Sequence, residues 1–369
     1  MIREEINEIK KKFNKDTNVI TKYAGCYVDA EKNIKFMTKD AFYSLPEEDA
    51  FKYEEIFRKT LSGAVGKSLL TLDFSIDEEG EDTPHAFLMK LRESRLDDEL
   101  ILDEFFRKVI DAYEYAENYY IILVDMMYDI PGKSSDKLAM DDASNEVYHG
   151  LLCSICPVTL SKPALSYFAN EGVIANRIRD WIVGMPMHGF LFPAFTDRTT
   201  DIHAALYFSK KNDALNESFI NEIIGVNPPM SSVMQKETFE AVLYDVLRDE
   251  LTMPVMSALS SNMIDLIAEN SQNPEPLVLT KNDMVKLISK SGVSDEAVES
   301  YEKSADADIE VLADNVVDTK KFEVKTPGIT VKTDTDSIEK LETRVIDGRK
   351  YLLVPIEDDV EVNGMPVKA

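Results

Sequence analysis

Apolar residues in this chain gather in runs that are too short for long helices and too continuous for exposed loops. The plainest is Tyr119–Val124, closed by Asp125, which reads as a buried strand through Tyr119–Met127. Farther along, Leu151–Leu160, Gly189–Phe195 and Ile202–Ser209 repeat the pattern between Pro and Gly, and read as strands of one sheet. Upstream, Ile2, Ile6, Ile9 and Phe13 fall at helical spacing over residues 1–13. Tyr23–Asp29 and Asn33–Met37 read as a hairpin joined by Ala30-Glu31-Lys32. Leu45-Pro46-Glu47-Glu48 opens a helix with Phe51, Ile56 and Phe57 on its buried side and Gly63 as its stop. A strand over Ser68–Ile76 and helices over Pro84–Arg95 and Asp98–Tyr115 complete this half.

From Leu215 the spacing becomes helical. Phe239, Val242, Leu243, Val246 and Leu247 form one stripe, and Val255–Ile267 continues it in a second helix. Thr280 with Asp283 resembles a capping box for Lys281–Ser291, stopped by Gly292. Ser294 opens a short helix within an acidic window, Ser294–Asp318, that holds nine acids and one lysine. The tail, Lys321–Val367, reads as a small β module, with Asp347-Gly348 and Asn363-Gly364 as type I′ turn signals. The expected class is therefore α+β. A mixed-sheet domain over residues 1–228 precedes a helical region over 229–318 and a β module over 319–369.

A length of 369 residues suits two or three domains, and 44% hydrophobic content supports a real core. No run approaches the ~20 apolar residues needed to cross a bilayer, and Met1-Ile-Arg-Glu-Glu-Ile lacks the apolar stretch of a signal peptide. Three cysteines argue against a disulfide framework and for a reducing compartment, so a cytoplasmic protein is expected. The net charge of −27 disfavours nonspecific contact with nucleic acid or anionic lipid, because both depend on clustered Lys and Arg.

The unusual chemistry concentrates in Asn145–Ala205, which holds His149, His188, His203, Cys153, Cys156 and the only tryptophan, Trp181. Its five acids and four bases leave it nearly neutral inside a polyanion. Cys153-Ser-Ile-Cys156 with His149 is a candidate zinc set, completed by His188 or His203. The objection is geometric: on one continuous strand, residues 153 and 156 point to opposite faces. Asp197, Arg198, Asp201 and His203 are candidates for a hydrolytic or phosphoryl-transfer site, with Asp125, Asp129, Asp141 and Asp142 as further ligands. The structural alternative is a set of turn caps and ion pairs.

Three motifs fail on physical grounds. Gly66-Lys67-Ser68 resembles the end of a phosphate loop, but position 61 is Leu, and a helix precedes where a strand should. A redox role for Cys153 requires a helix N-terminus, which Pro157 and the β-like surroundings oppose. The helix–Gly292-Val-Ser294–helix unit would present Asp295, Glu296, Glu299 and Glu302 to phosphates.

Gly25-Cys26-Tyr27-Val28-Asp29, Phe57–Gly63, Leu151–Val158, Gly189–Phe195 with Asp197-Arg198, and Val345–Arg349 resemble an uncharacterised family of cytoplasmic proteins from Clostridia-type Firmicutes, described only as a domain of unknown function. The match spans nearly the whole chain. It implies a bacterial cytoplasmic protein and brings no activity or cofactor. With no complete catalytic template, the expectation is an acidic binding or scaffold protein acting through a protein partner. The alternatives are an enzyme built on Asp197, Arg198, Asp201 and His203, or a zinc-stabilised domain.

Overall fold

The computed structural model describes every residue except 15, 18, 134–138, 141–145, 214, 305–306, 308, 357–359 and 368–369, and describes Lys133, Ala139 and Met140 by their backbone only. The chain divides into two compact units, Met1–Ser231 and Ser232–Ala369.

The first unit opens with helix α1 (Arg3–Lys11), the hairpin of β1 (Ile20–Val28) and β2 (Ile34–Ala41), and helix α2 (Glu47–Thr60). Strand β3 (Leu69–Asp73) precedes helices α3 (Pro84–Glu93) and α4 (Glu99–Ala112), whose N-caps are Thr83 and Asp98. Next come β4 (Tyr119–Ile130), the short pair β5 (Gly132–Lys133) and β6 (Ala139–Met140), and the long β7 (Glu146–Leu160). A hairpin of β8 (Leu165–Phe168) and β9 (Val173–Asn176) leads to β10 (Trp181–Val183) and β11 (His188–Phe192). The hairpin β12 (Ala194–Thr196)–β13 (Thr199–Asp201), strand β14 (Ala204–Ser209) and a helical turn α5 (Glu217–Phe219) follow, and α5 runs into a π-helical turn over Ile220–Ile224.

One sheet orders the strands β2-β1-β4-β7-β11-β14-β3, and β10 joins the far end of β7. The α+β class matches expectation, but the sheet is antiparallel at every strand pairing rather than mixed. Parallel neighbours need a crossover of a dozen or more residues, usually helical, whereas β1–β2 and β4–β7 are joined as hairpins.

Both faces of this sheet are covered. Ile121 and Leu123 of β4 and Leu151, Cys153 and Ile155 of β7 join a core with Leu88 and Leu91 of α3 and Phe105 and Phe106 of α4. The alternate residues Ile122, Val124, Leu152 and Cys156 face Ile6 and Ile9 of α1 and Ile56 and Phe57 of α2. An antiparallel sheet with one wet face would show apolar–polar alternation. Burial on both faces explains why β4 and β7 read as continuous apolar runs.

Helix α2 rests on the sheet through small residues. Thr60 Oγ1 lies 2.6 Å from Ser154 Oγ of β7, and a Cβ on Gly189 of β11 would stand 2.4 Å from the Cys153 carbonyl oxygen and 2.7 Å from Thr60 Cγ2. At the β1–β2 turn, Asp29 accepts hydrogen bonds from the backbone N–H groups of Glu31 and Asn33 and pairs with Lys35 at 2.7 Å. The Lys35 ammonium, then the amides, hold the Asp29 carboxyl down at about 2.

The second unit begins with α6 (Ser232–Leu247) and α7 (Met253–Glu269). Strand β15 (Val278–Leu279), helices α8 (Lys281–Lys290) and α9 (Asp295–Lys303), strand β16 (Val311–Leu312) and helix α10 (Ala313–Val316) complete its helical part. Phe239, Leu243, Leu259, Met263, Leu287 and Tyr301 fill its core. The capping box forms as expected: Thr280 Oγ1 accepts from Asp283 N, and the Asp283 carboxylate accepts from Thr280 N. The tail is three hairpins, β17 (Lys321–Thr326)–β18 (Ile329–Asp334), β19 (Glu342–Ile346)–β20 (Arg349–Leu353) and β21 (Val360–Val362)–β22 (Met365–Val367), and among the described residues no strand pairs between them. The two turn signals take left-handed backbone at both central residues: Asp347 and Gly348 have φ 48° and 77°, Asn363 and Gly364 φ 53° and 79°.

Gly189→Ala must push backbone against α2 or β7 and should lower stability by about 2–3 kcal/mol, read as a shifted urea midpoint. Because the Asp29 carboxyl is depressed on folding, its contribution is full above the ordinary carboxylate range near 4. It should fade as pH falls toward about 2. A carboxyl titration followed by NMR should place the Asp29 midpoint near 2 and show the hairpin amides shifting with it.

Candidate functional site

The zinc candidates are not brought together. Strand β7 runs unbroken through Glu146–Leu160, so Cys153 and Cys156 face opposite layers and belong to different cores. His149 shares the Cys153 face but sits four residues away, roughly 13 Å along a strand. Zinc ligands stand ~2.0–2.3 Å from the metal. Burial pushes both thiols up, and Cys26 up to about 12. Among the described residues, no group of three or more His, Cys, Asp or Glu side chains is placed to hold a metal. Asp141 and Asp142 lie outside the described residues.

His149 is instead engaged with a buried carboxylate. Its Nε2 lies 2.6 Å from Oδ1 of Asp125, a wholly buried residue on the neighbouring strand. The Thr21 hydroxyl donates to the other Asp125 oxygen, and Arg95 Nε stands 3.8 Å from it. Arg92 Nε donates to the His149 carbonyl oxygen at 2.7 Å. A buried carboxylate is stable only with such partners. Here they tie β1, β4, β7 and the end of α3 into one polar knot.

The proposed catalytic group is likewise divided among separate pairs. Asp197 and Arg198, with φ 53° and 58°, form the turn between β12 and β13. Arg198 binds Glu8 of α1 through Nε and Nη2, at 2.9 and 2.8 Å. Glu8 also accepts from the Tyr128 hydroxyl at 2.8 Å, and the Asp197 amide donates to Glu5. His203, by contrast, lies 2.7 Å from Glu79, which raises its pKa, while Asp201 accepts from the His203 amide. Arg198 and His203 thus serve different carboxylates. The third central histidine, His188, lies 2.8 Å from the Tyr113 hydroxyl and stacks on Tyr207.

The apolar residues of the central segment behave differently. Between Leu160 and His188 the chain leaves the sheet body as an arm made of the β8–β9 hairpin, a polar link and β10. Tyr167 pairs with Ile174 across the hairpin, and both side chains are exposed. Ile174 is 70% exposed, Ile178 72% and Trp181 55%, and Ile182, Val183 and Met185 are exposed as well. Strand β10 pairs with β7, and its second edge carries no strand among the described residues. Arg177, beside Ile178, is exposed, and its backbone N–H donates to the Ala164 carbonyl oxygen at 2.8 Å.

Sequence reasoning singled out Trp181 and missed the arm. The available signal was Leu165, Tyr167, Ile174, Ile178 and Trp181 set between Pro163 and Pro186. Apolar residues in short strands look the same in sequence whether a core covers them or not.

A family model described as a domain of unknown function, DUF4317, matches residues 1–365, and the chain belongs to that family. No curated protein matches it. No helix among the described residues is long and apolar enough to cross a membrane.

The placement of the cysteines has a direct readout. All three are free and buried. In the native protein none should react with a chromogenic disulfide reagent at mildly alkaline pH, and all three should react at once in denaturant. A fast-reacting thiol in the native state would contradict this packing.

Proposed function

We propose that this protein is a binding or scaffold component that engages a protein partner through the arm at residues 161–187. One observation carries the reading: large apolar side chains crowd that arm and remain in water. Monomeric soluble domains rarely expose contiguous apolar patches larger than a few hundred Å², and larger ones mark contact surfaces. Each large apolar side chain transferred from water to a partner contributes about 1.5–3 kcal/mol. The edge of β10 that pairs with no strand among the described residues adds backbone donors and acceptors that an extended segment can pair with.

The polar residues of the same segment support this division of labour. His149, Arg198 and His203 are each held by a carboxylate, Asp125, Glu8 and Glu79 respectively. The arm carries Lys162, Arg177 and Arg179 against Glu171 and Asp180, one net positive charge in a chain whose net charge is −27. A partner surface that is apolar and acidic fits it.

The test replaces Ile174 and Trp181, both exposed, by Asp in the tagged full-length chain. Native purification from the producing cell should retain a stoichiometric protein on the wild type and lose it from the double variant. Equal retention by both, or no retained protein on either, would overturn the reading.

A further inference from the structure

We infer that the arm's partner is a second copy of this chain, whose docking site is the acidic, aromatic groove at the start of α2. This inference rests on the binding role proposed for the arm.

The groove holds about 890 Å³ and lies where the single helical turn Phe42–Ser44 meets α2. Phe42, Tyr43, Leu45 and Phe51 form its walls, and Tyr43 and Phe51 are each 54% exposed. Asp16, Glu47, Glu48 and Glu54 also line it, with Lys52 among them and Arg58 paired with Glu54. Burial raises the Glu54 carboxyl despite Arg58, which stands 3.5 Å away. The Arg58 guanidinium also lies 5.6 Å from the centre of the Phe51 ring. This wall therefore already accommodates a guanidinium over an aromatic face beside a carboxylate.

The arm presents the complementary chemistry. Arg177 and Arg179 flank the exposed Ile178 in sequence, Arg179 Nε donates to the Ser161 carbonyl oxygen at 2.7 Å, and the exposed Trp181 follows Asp180. Arginine stacks on aromatic rings and pairs with carboxylates through one planar group, so a groove made of both selects it over lysine. Ile178 and Trp181 suit the apolar walls, and the volume accepts several side chains.

Self-association must work against a charge of −27 on each copy. At physiological salt that repulsion is screened beyond ~8 Å, while ion pairs in contact inside a groove are screened much less. Each copy carries one arm and one groove. The contact therefore either closes into a ring with every site filled, the two-fold dimer being the smallest, or propagates as an open chain.

Analytical ultracentrifugation of the full chain over a wide concentration range tests this. The wild type should associate reversibly. Arg177→Glu with Ile178→Asp should weaken association by about ten-fold or more, and so should Asp16→Lys with Glu48→Lys. All four positions are exposed, and matching circular dichroism spectra would exclude misfolding. An equimolar mixture of the two variants should associate again, because each supplies the intact half that the other lacks. A wild type that stays monomeric, or a mixture that fails to associate, would overturn the inference. If the wild type is monomeric yet a different protein is lost with Ile174→Asp and Trp181→Asp, self-association fails and the binding role stands. If no arm-dependent partner exists at all, both fail.

Discussion

The antiparallel pairing of β4 with β7 is the interaction on which the first unit depends. It runs from Tyr119 opposite Pro157 to Ile130 opposite Glu146 without a register shift. Alternate residues of both strands feed two separate cores, so a slip by one residue would exchange every side chain between the α1–α2 layer and the α3–α4 layer. The two faces are not interchangeable. One takes aromatic helices over Leu123 and Cys153, while the other needs Ser154 and Gly189 small enough for Thr60 of α2.

The same pairing explains why a charged group can sit inside the sheet. Asp125 faces the α3–α4 layer, where Thr21 of β1 and His149 of β7 reach it from the two flanking strands. A shift of either neighbour would strand a buried carboxylate, at a cost of several kcal/mol. The knot therefore favours one alignment of three strands. Much of the polar chemistry of the central segment is absorbed in this way: Arg198 pins the β12–β13 turn to α1 through Glu8, and His203 pairs with Glu79.

Local elements were largely legible in the sequence. Asp98 and Thr280 cap the helices expected to follow them, and Asp347-Gly348 and Asn363-Gly364 turn as their dipeptides demand. Helix ends moved by a few residues: α2 stops at Thr60, before Gly63, and β3 ends at Asp73 although apolar residues continue to Ile76. The candidate sites were less legible. The objection that strand periodicity separates Cys153 from Cys156 was available from sequence, whereas the Asp125–His149 contact was not. Those residues are 24 positions apart, and only the strand register makes them neighbours.

By itself the sequence determined the α+β class, the positions of most helices and strands, the turn chemistry of the tail, and a net charge of −27. Propensity, capping and alternation are properties of a few adjacent residues, so they can be read along the chain. Only the tertiary structure decided which apolar residues are covered. Ile121 and Ile174 are the same side chain in similar strand settings, yet one is sealed between two strands and a helical layer while the other stands in water. Burial depends on what distant segments bring to a face, and that is a property of the assembled sheet.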